Sequence, residues 1–178
     1  MPEIQIRPAV PADIPLLVAL DHDFTSEYVW QMDFEQDERQ IGVSFRQIKL
    51  PRSVRVEYPR SARSLMEDWS QRAGLLVGLI DDERVGYVSL ALEMAPKTAW
   101  ITDLAVARRL RRKGIGSTLV LAAQEWAGQR RSTRVLMEMQ PKNYPAIRLA
   151  QKLGFDFCGY QDQYYANRDI ALFFGKSA

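Results

Sequence analysis

One short turn, Arg111-Arg112-Lys113-Gly114-Ile115-Gly116-Ser117, constrains the fold of this chain more than any other segment. It follows residues 98–106, an apolar segment typical of a strand. It leads into residues 114–129, where apolar residues recur at helical spacing. The first N–H groups of a helix have no intrahelical partner, so they can bind an anion. Glycine lets the backbone approach a phosphate oxygen, and the neighbouring cationic side chains add charge. The turn therefore predicts a site for a polyphosphate ligand.

Other interpretations of this turn are less well supported by the residues. A dinucleotide-binding fingerprint would place a third glycine where the chain has Leu119. A Walker A loop would end in Gly-Lys followed by Ser or Thr, and this turn does not. The basic run at 108–113 is compatible with contacts to nucleic-acid phosphates. The net charge of +2, however, argues against nucleic acid or a membrane as the dominant partner.

The length and the rare residues limit the class of protein further. A chain of 178 residues is long enough for one domain with a sizeable core. Cys158 and His22 are single, which excludes an internal disulfide and metal sites built from cysteine or histidine clusters. No apolar run approaches the roughly 20 residues of a membrane span, and no signal peptide is visible at the N-terminus. We expect one cytoplasmic domain over residues 1–178 that holds no metal.

Hydrophobic periodicity predicts alternating strands and helices over most of the chain. Residues 21–60 are harder to interpret, although alternating apolar residues on both sides of Pro51 favour extended segments. Ser64 and Glu67 fit a capping box at the start of another helix. Strands are predicted at residues 4–7, 75–80, 85–93, 98–106, 133–139, 155–160 and 169–174, and helices from residue 11 and at 114–129 and 144–153. This order predicts an α/β domain whose mixed, mostly antiparallel sheet is flanked by helices.

Two motifs resemble the GNAT superfamily of N-acetyltransferases. The first is Leu104-Ala105-Val106 followed by Arg111-Arg112-Lys113-Gly114-Ile115-Gly116, and the second is Asn143-Tyr144-Pro145-Ala146 followed by Lys152-Leu153-Gly154-Phe155. Residues 28–32, 136–140 and 162–167 are similar to streptothricin acetyltransferases within that superfamily. The resemblance covers about residues 75–160 and implies the GNAT fold.

The resemblance also implies acetyl-CoA as co-substrate and a set of residues that bind it. In the triplet Leu104-Ala105-Val106, backbone groups of Leu104 and Val106 would bind the pantetheine arm and an amide would face the thioester oxygen. Amides from Lys113 through Ser117, Gly114, Ile115 and Gly116 included, would bind the pyrophosphate, with Arg111 and Arg112 nearby. Asn143 would contact the pantetheine or the acetyl end.

The catalytic residues are less clearly indicated. Many GNAT enzymes have a tyrosine four residues after the motif alanine that protonates the departing thiolate, and this chain has Ala150 there. Tyr165 is the first candidate for a substitute acid and Tyr160 the second. Asp103 is a candidate general base, with Asp21, Asp23 and Glu27 as alternatives, whereas His22 is more typical of a structural residue.

An acidic run at residues 21–38 is typical either of a solvated face or of a surface that attracts a cationic acceptor. We expect transfer of an acetyl group to the primary amine of a small cationic molecule, streptothricin-like antibiotics included, in a direct ternary-complex reaction. Acetylation of a protein lysine or N-terminus, and a CoA-binding sensor without turnover, stay as alternatives. The resemblance leaves a homodimer open.

Overall fold

The computed structural model describes residues 3–178, which form nine strands and four helices. The strands are β1 Gln5–Pro8, β2 Phe24–Gln36, β3 Ile41–Val56, β4 Gly74–Ile80, β5 Glu83–Ala91, β6 Thr98–Val106, β7 Arg134–Met139, β8 Asp156–Gln161 and β9 Ala171–Ser177. The helices are α1 Ile14–Val18, α2 Ser64–Asp68, α3 Ile115–Gln129 and α4 Tyr144–Lys152. Single 3₁₀ turns precede α1, follow α2 and follow β6.

Seven strands form one mixed sheet, in the spatial order β1-β4-β5-β6-β7-β9-β8. All neighbours in this sheet are antiparallel except β6 and β7, which are parallel and joined through α3. The predicted α/β class, the antiparallel middle of the sheet and the helical crossover are therefore confirmed. The predicted bounds of β6 agree with the structure at both ends.

The sheet has a hydrophobic core on each face, because successive strand residues point to opposite sides. On one face α3 and α4 cover the larger core, to which Leu119, Trp126 and Ile147 contribute fully or almost fully buried side chains. On the other face α1 and α2 cover a smaller core containing Leu17 and Leu65. Because the core on the α1/α2 face is small, polar side chains of β6 and β7 that point to that face can be reached by a ligand.

The hairpin of β2 and β3 is the element that the sequence predicted least well. Extended structure on both sides of Pro51 is confirmed, but it belongs to one continuous strand, β3, and β2 was not predicted. The hairpin is tied to the main domain where the N–H of Trp30 donates to the carbonyl of Pro141 at 3.0 Å. Beside it, the rings of Tyr28 and Tyr144 lie 4.6 Å apart. The hairpin therefore packs against the start of α4.

Three local predictions differ from the structure. The capping box at α2 is wrong, because Arg63 is the N-cap residue and the Ser64 hydroxyl donates to the carbonyl of Ser61. The loop between β4 and β5 has two residues rather than four: Asp81 and Asp82, both with left-handed φ, make the turn, and β5 begins at once. The last strand begins and ends later than residues 169–174.

We predict that Gly86→Ala lowers the free energy of unfolding by ~1–3 kcal/mol, the usual cost of overpacking a tight site. Gly86 faces Val106 across β5 and β6, and a Cβ there would stand 2.6 Å from the carbonyl oxygen of Ala105, which belongs to the backbone and cannot turn away. Urea unfolding measures the change.

Gly128→Ala is the matched control for this variant. A Cβ on Gly128, in the last turn of α3, meets nothing within 4 Å, so the free energy of unfolding should stay the same or rise by up to ~1 kcal/mol. Equal stability of Gly86→Ala and the original protein would contradict the close packing of β5 on β6.

Candidate active site at the open edge of β6

The strands β6 and β7 separate halfway along their length. Their pairing covers Thr98–Ile101 of β6 and stops there, so residues 102–106 have no strand neighbour on that side among the described residues. The N–H of Ala107 donates to the carbonyl of Val85 on β5 at 2.8 Å. Because backbone groups alternate between the two edges of a strand, those of Leu104 and Val106 point to the unpaired side. The sheet thus presents an open backbone edge in its interior.

Two arginines bind the carbonyls at the ends of this open edge. Arg60 donates from Nη1 to the carbonyl of Thr102 at 2.9 Å, and Arg111 donates from Nε to the carbonyl of Val106 at 3.0 Å. Thr102 is also the extra residue of a β-bulge, since Ser89 pairs with Asp103 and the next pair skips to Ile101. The amide and carbonyl of Leu104 lie between these two contacts.

The glycine turn at the far end of the edge has the backbone of an anion-binding loop. Arg112 and Gly114 both have left-handed φ, 67° and 89°, and alternation of this kind turns successive N–H groups toward one point. The first intrahelical bond of α3 runs from the Thr118 N–H to the carbonyl of Gly114, so the amides of residues 115–117 precede it. A Cβ on Gly116 would meet Leu149 at 3.4 Å, an ordinary contact. Packing within the protein does not therefore require a glycine at 116.

The side chain of Arg111 takes a different position from the one expected beside the pyrophosphate. Besides Val106, its guanidinium donates to the backbone carbonyl of Asp23 at 2.7 Å and to that of Asp21. Three N–H donors are thus used inside the protein. Arg112 and Lys113 are exposed at the turn and are the cationic side chains placed to reach a phosphate there.

Asn143 begins α4 and caps it. Its Oδ1 accepts from the N–H of Ala146 at 3.1 Å, as an N-cap residue does. The amide nitrogen of the same side chain has two further donors that the cap does not use. Asn143 can therefore fix the helix start and still offer a donor to a ligand.

Asp103 lies on the α1/α2 face of β6, next to the open edge, and is 5% exposed. Its Oδ1 accepts from the Tyr58 hydroxyl at 2.5 Å, and its Oδ2 accepts from Arg72 at 2.9 Å and from the Thr102 hydroxyl at 3.2 Å. Arg72 also donates to the Ser89 hydroxyl. These donors hold the carboxylate in one orientation. Burial, together with the negative charge of Asp103, raises the pKa of Tyr58 well above its ordinary value.

A cavity of about 510 Å³ opens beside Asp103. Three carboxylates and two guanidinium groups line it, together with small polar and apolar side chains. The lining residues are Arg60, Ser64, Asp68, Gln71, Arg72, Ala73, Ser89, Leu90, Ala91, Leu92, Glu93, Thr102 and Asp103.

A second buried carboxylate, Glu138 on β7, lies on the opposite side of the gap from Asp103, and the sequence did not single it out. Its side chain is 0% exposed and accepts from Arg60, from Trp100 Nε1 at 2.6 Å and from the Tyr164 hydroxyl at 2.8 Å. Burial raises the pKa of Glu138 above its usual range, against the lowering effect of Arg60. The available signal was a charged residue inside an apolar strand, Leu136-Met137-Glu138-Met139.

The two candidates for the proton donor, Tyr165 and Tyr160, lie in different surroundings. Tyr160 is on β8 and packs edge-on against Phe45, with the ring centres 5.4 Å apart. Tyr165 is in the loop before β9, with the Arg60 guanidinium 5.2 Å from its ring centre, and burial raises its pKa. Its neighbour Tyr164 bonds Glu138, and burial raises the pKa of Tyr164 to about 12. Ala150 is fully buried in the core between α4 and the sheet. That position has no room for a tyrosine without repacking.

The acidic run does not line the cavity. Asp21 pairs with Arg55 and Arg108, and Asp23 pairs with Arg55 at 2.8 Å, so both carboxylates are used inside the protein. The residues from Glu27 onward lie on the hairpin and are not among the lining residues. Attraction of the acceptor by this run stays a prediction. His22 bonds the carbonyl of Leu20 and the Tyr87 hydroxyl, as expected of a structural residue.

The basic run has internal partners as well. Arg108 pairs with Asp21, Arg109 pairs with Glu83, and Arg111 binds backbone carbonyls. Three of the five cationic side chains in this run thus have partners inside the protein, and Arg112 and Lys113 are exposed. Within residues 3–178 no helix has both the length and the apolar character of a membrane span, and no three acidic, histidine or cysteine side chains are grouped as metal ligands.

Comparison with known proteins agrees with this geometry. The sequence model of the Acetyltransferase (GNAT) family matches residues 24–155. Streptothricin acetyltransferase of Streptomyces lavendulae is 28% identical over 167 residues, which cover 90% of this chain and 86% of that protein. An N-alpha-acetyltransferase of Saccharolobus solfataricus is 27% identical over 111 residues, 56% of this chain and 66% of that protein.

Solved structures show the same fold. A nourseothricin acetyltransferase superposes with a TM-score of 0.83 at 23% identity and 98% coverage of both chains. A Bacillus anthracis protein, described as a streptothricin acetyltransferase and solved in complex with acetyl coenzyme A, gives 0.78 at 18% identity, with coverage of 99% of this chain and all of the other. The chain belongs to the GNAT family and is an acetyltransferase.

Proposed function

We propose that this protein transfers the acetyl group of acetyl-CoA to a primary amine of a small cationic molecule, in one complex that holds both substrates. The observation that carries the proposal is the open edge of β6, which runs from the anion-binding turn at 112–117 to the cavity at Asp103. A ligand with a polyphosphate at one end, an amide-rich arm and a reactive group at the other end matches these three parts in order.

The open edge is proposed to bind the pantetheine arm in the manner of an added strand. The amide and carbonyl of Leu104 and the amide of Val106 are the groups for this role, because the Val106 carbonyl already accepts from Arg111. The amides of Lys113 through Ser117 would bind the pyrophosphate, with Arg112 and Lys113 beside it. The acetyl thioester would then lie near residues 102–104, where the cavity begins.

Asp103 is proposed as the general base. An amine attacks only after it has lost a proton, and a carboxylate beside the cavity can accept that proton directly or through water. The nitrogen then bonds the thioester carbonyl carbon, and the developing oxyanion accepts from a backbone amide of β6. Breaking the carbon–sulfur bond completes the transfer and leaves a thiolate.

The charges of the cavity favour a cationic acceptor over an anionic one. Asp68, Glu93 and Asp103 outnumber Arg60 and Arg72, and Arg60 is additionally paired with Glu138 outside the lining. The likeness to streptothricin acetyltransferase over 90% of the chain supports the same class of acceptor. The similarity to N-alpha-acetyltransferases supports peptide amines as the second candidate.

Tyr165 is proposed as the proton donor to the thiolate. Its raised pKa keeps the hydroxyl protonated, as a donor requires, but also makes it a weak acid toward a thiolate, whose pKa should be near the ~8.5 of a cysteine. We therefore expect a contribution at the low end of the ~10²–10⁴-fold typical of general acid–base catalysis, or below it.

The function is tested by following thiol release from acetyl-CoA with a panel of acceptors: streptothricin, aminoglycosides, polyamines, free lysine and peptides. We predict turnover with cationic small molecules and a loss of kcat/KM for the amine of at least ~10²-fold in Asp103→Asn, at unchanged affinity for CoA. Asp68→Asn is the comparison: Asp68 also lines the cavity and shares Arg72 with Asp103, but it is 46% exposed, so its loss of kcat/KM should be much smaller.

Two outcomes of the acceptor panel and one comparison of variants would contradict the proposal. Turnover of peptides alone would identify a protein acetyltransferase, and CoA binding without any turnover would identify a sensor. Equal activity of Asp103→Asn and Asp68→Asn would remove Asp103 from the role of base.

We predict that Gly116→Asp weakens CoA binding by at least ~30-fold, because losing a charge-assisted contact alone costs ~1.5–3 kcal/mol and the added charge repels phosphate. A carboxylate in the first turn of α3 stabilises the helix, so the variant should stay folded. Titration calorimetry measures the affinity. Gly116→Asn has nearly the same shape without the charge, and it should lose much less. Unchanged affinity in folded Gly116→Asp would exclude the turn as the pyrophosphate site.

We predict that Tyr165→Phe lowers kcat about tenfold at neutral pH, with little change in CoA affinity and an unchanged shape of the pH–rate profile, because the raised pKa keeps the hydroxyl protonated throughout. Tyr160→Phe is the control, since Tyr160 packs edge-on against Phe45 and should turn over normally. Full activity of Tyr165→Phe would mean that water protonates the thiolate.

A further inference from the structure

Arg111 closes a ring of contacts that begins and ends on β6. One side of its guanidinium holds the carbonyl of Val106, the last residue of the strand. The other side holds the carbonyls of Asp21 and Asp23, in the segment that leads into β2. The cofactor strand is thereby fastened to the start of the hairpin.

The ring continues from Asp23 to the candidate base. Asp23 Oδ1 accepts from the backbone N–H of Tyr58 at 3.1 Å, while its Oδ2 accepts from Arg55 at 2.8 Å. The Tyr58 hydroxyl then donates to Asp103 Oδ1 at 2.5 Å. Asp103 and Val106 are three residues apart on β6, so the ring encloses the segment whose open edge contains Leu104.

We propose that Arg111 is a positioning residue for acetyl transfer, which sets the Tyr58–Asp103 pair against the open edge of β6 and does not itself bind CoA. The inference rests on the proposed function for its kinetic consequences, but its structural content stands without it. Arg111 would hold the strand end and the Asp21–Asp23 segment at a fixed separation. Asp23 would then fix the backbone of Tyr58, and the Tyr58 hydroxyl would orient Asp103.

Arginine suits this task because its planar guanidinium offers several donors in fixed directions at once. Lysine has one ammonium group and cannot bridge a strand end and a separate segment with the same geometry. Neutral glutamine retains one donor group of similar direction and is too short to reach both sides. Loss of Arg111 should therefore act at a distance, through the 54–60 segment, rather than at the turn.

The experiment compares Arg111→Gln with Arg112→Gln, its exposed neighbour at the turn, and with Arg130→Gln as a control. Arg130 stacks on Trp126 with its guanidinium carbon 3.9 Å from the ring centre, at the far end of α3. We expect Arg111→Gln to lower kcat at least tenfold and raise the KM of the amine, since small misplacements of reacting groups cost up to ~10²-fold. Its dissociation constant for CoA should stay within about threefold, well below the roughly tenfold that one lost charge-assisted contact costs. Arg112→Gln should give the opposite pattern, and Arg130→Gln should change neither.

A double-mutant cycle separates positioning from a general loss of stability. Tyr58→Phe removes the hydroxyl that contacts Asp103, and combining it with Arg111→Gln should lower kcat little further, because both act through the same contact. Fully additive losses in kcat would contradict the proposal. So would a CoA affinity that falls as much in Arg111→Gln as in Arg112→Gln.

Hydrogen exchange gives a test that needs no enzymatic activity, so that failure of the proposed function is distinguishable from failure of this inference. In Arg111→Gln the amides of residues 54–60, except Pro59, which has no N–H, should exchange at least tenfold faster, because the acceptor of the Tyr58 N–H has lost its support. Arg130→Gln should leave them unchanged. Arg111→Lys serves if Arg111→Gln does not fold, since it keeps the charge and most of the length but not the donors that bridge the two sides. Unchanged exchange at 54–60 in a folded variant overturns the inference.

Discussion

The separation of β6 from β7 after Ile101 is the constraint on which the rest of the site depends. Backbone N–H and C=O groups inside a protein need partners, and a sheet that opens in its middle leaves a row of them unpaired. Here Arg60 and Arg111 bind the carbonyls at the two ends of the row, and Leu104 lies between them. A ligand with its own amides can complete this row. The anion-binding turn lies at one end of this row and the cavity at the other, so the two ends of a ligand would bind to different parts of the site.

Two buried carboxylates lie on the two sides of the open edge, and each has its own set of hydrogen-bond donors. Asp103 on β6 is held by Arg72 and Tyr58, and Glu138 on β7 is held by Arg60, Trp100 and Tyr164. Breaking such a pair by removing one partner typically costs ~3–5 kcal/mol, because the other charge is left buried and alone. Rigid orientation of polar groups is also what catalysis needs, since groups that are already in place do not have to reorganise during the reaction. The same contacts therefore serve stability and function together.

Local sequence patterns predicted the strands, helices and turn around the site, but not the long-range contacts that orient its side chains. β6, α3 and the glycine turn follow from periodicity and from residues close in sequence, and these were predicted closely. The roles of Arg111, Tyr58 and Glu138 depend on partners 26 to 90 positions away, which no local pattern contains. The ion pairs of Asp21 and Asp23 with Arg55 and Arg108 were not predicted for the same reason, because the arginines lie far away in the sequence. β2 was missed because only Phe24 and Ser26 at its start are buried, so its alternation is weak.

Hydrogen exchange at single amides of β6 tests the central claim most directly. If the pantetheine arm completes the open edge, saturating CoA should slow exchange of the Leu104 and Val106 amides strongly, and should slow the amides of residues 115–117 at the turn as well. The amides of Ala105 and Ala107 point to β5 and should be protected already without CoA. Protection at the turn with no change at Leu104 and Val106 would mean that the ligand leaves the strand free, and would contradict this account of the site.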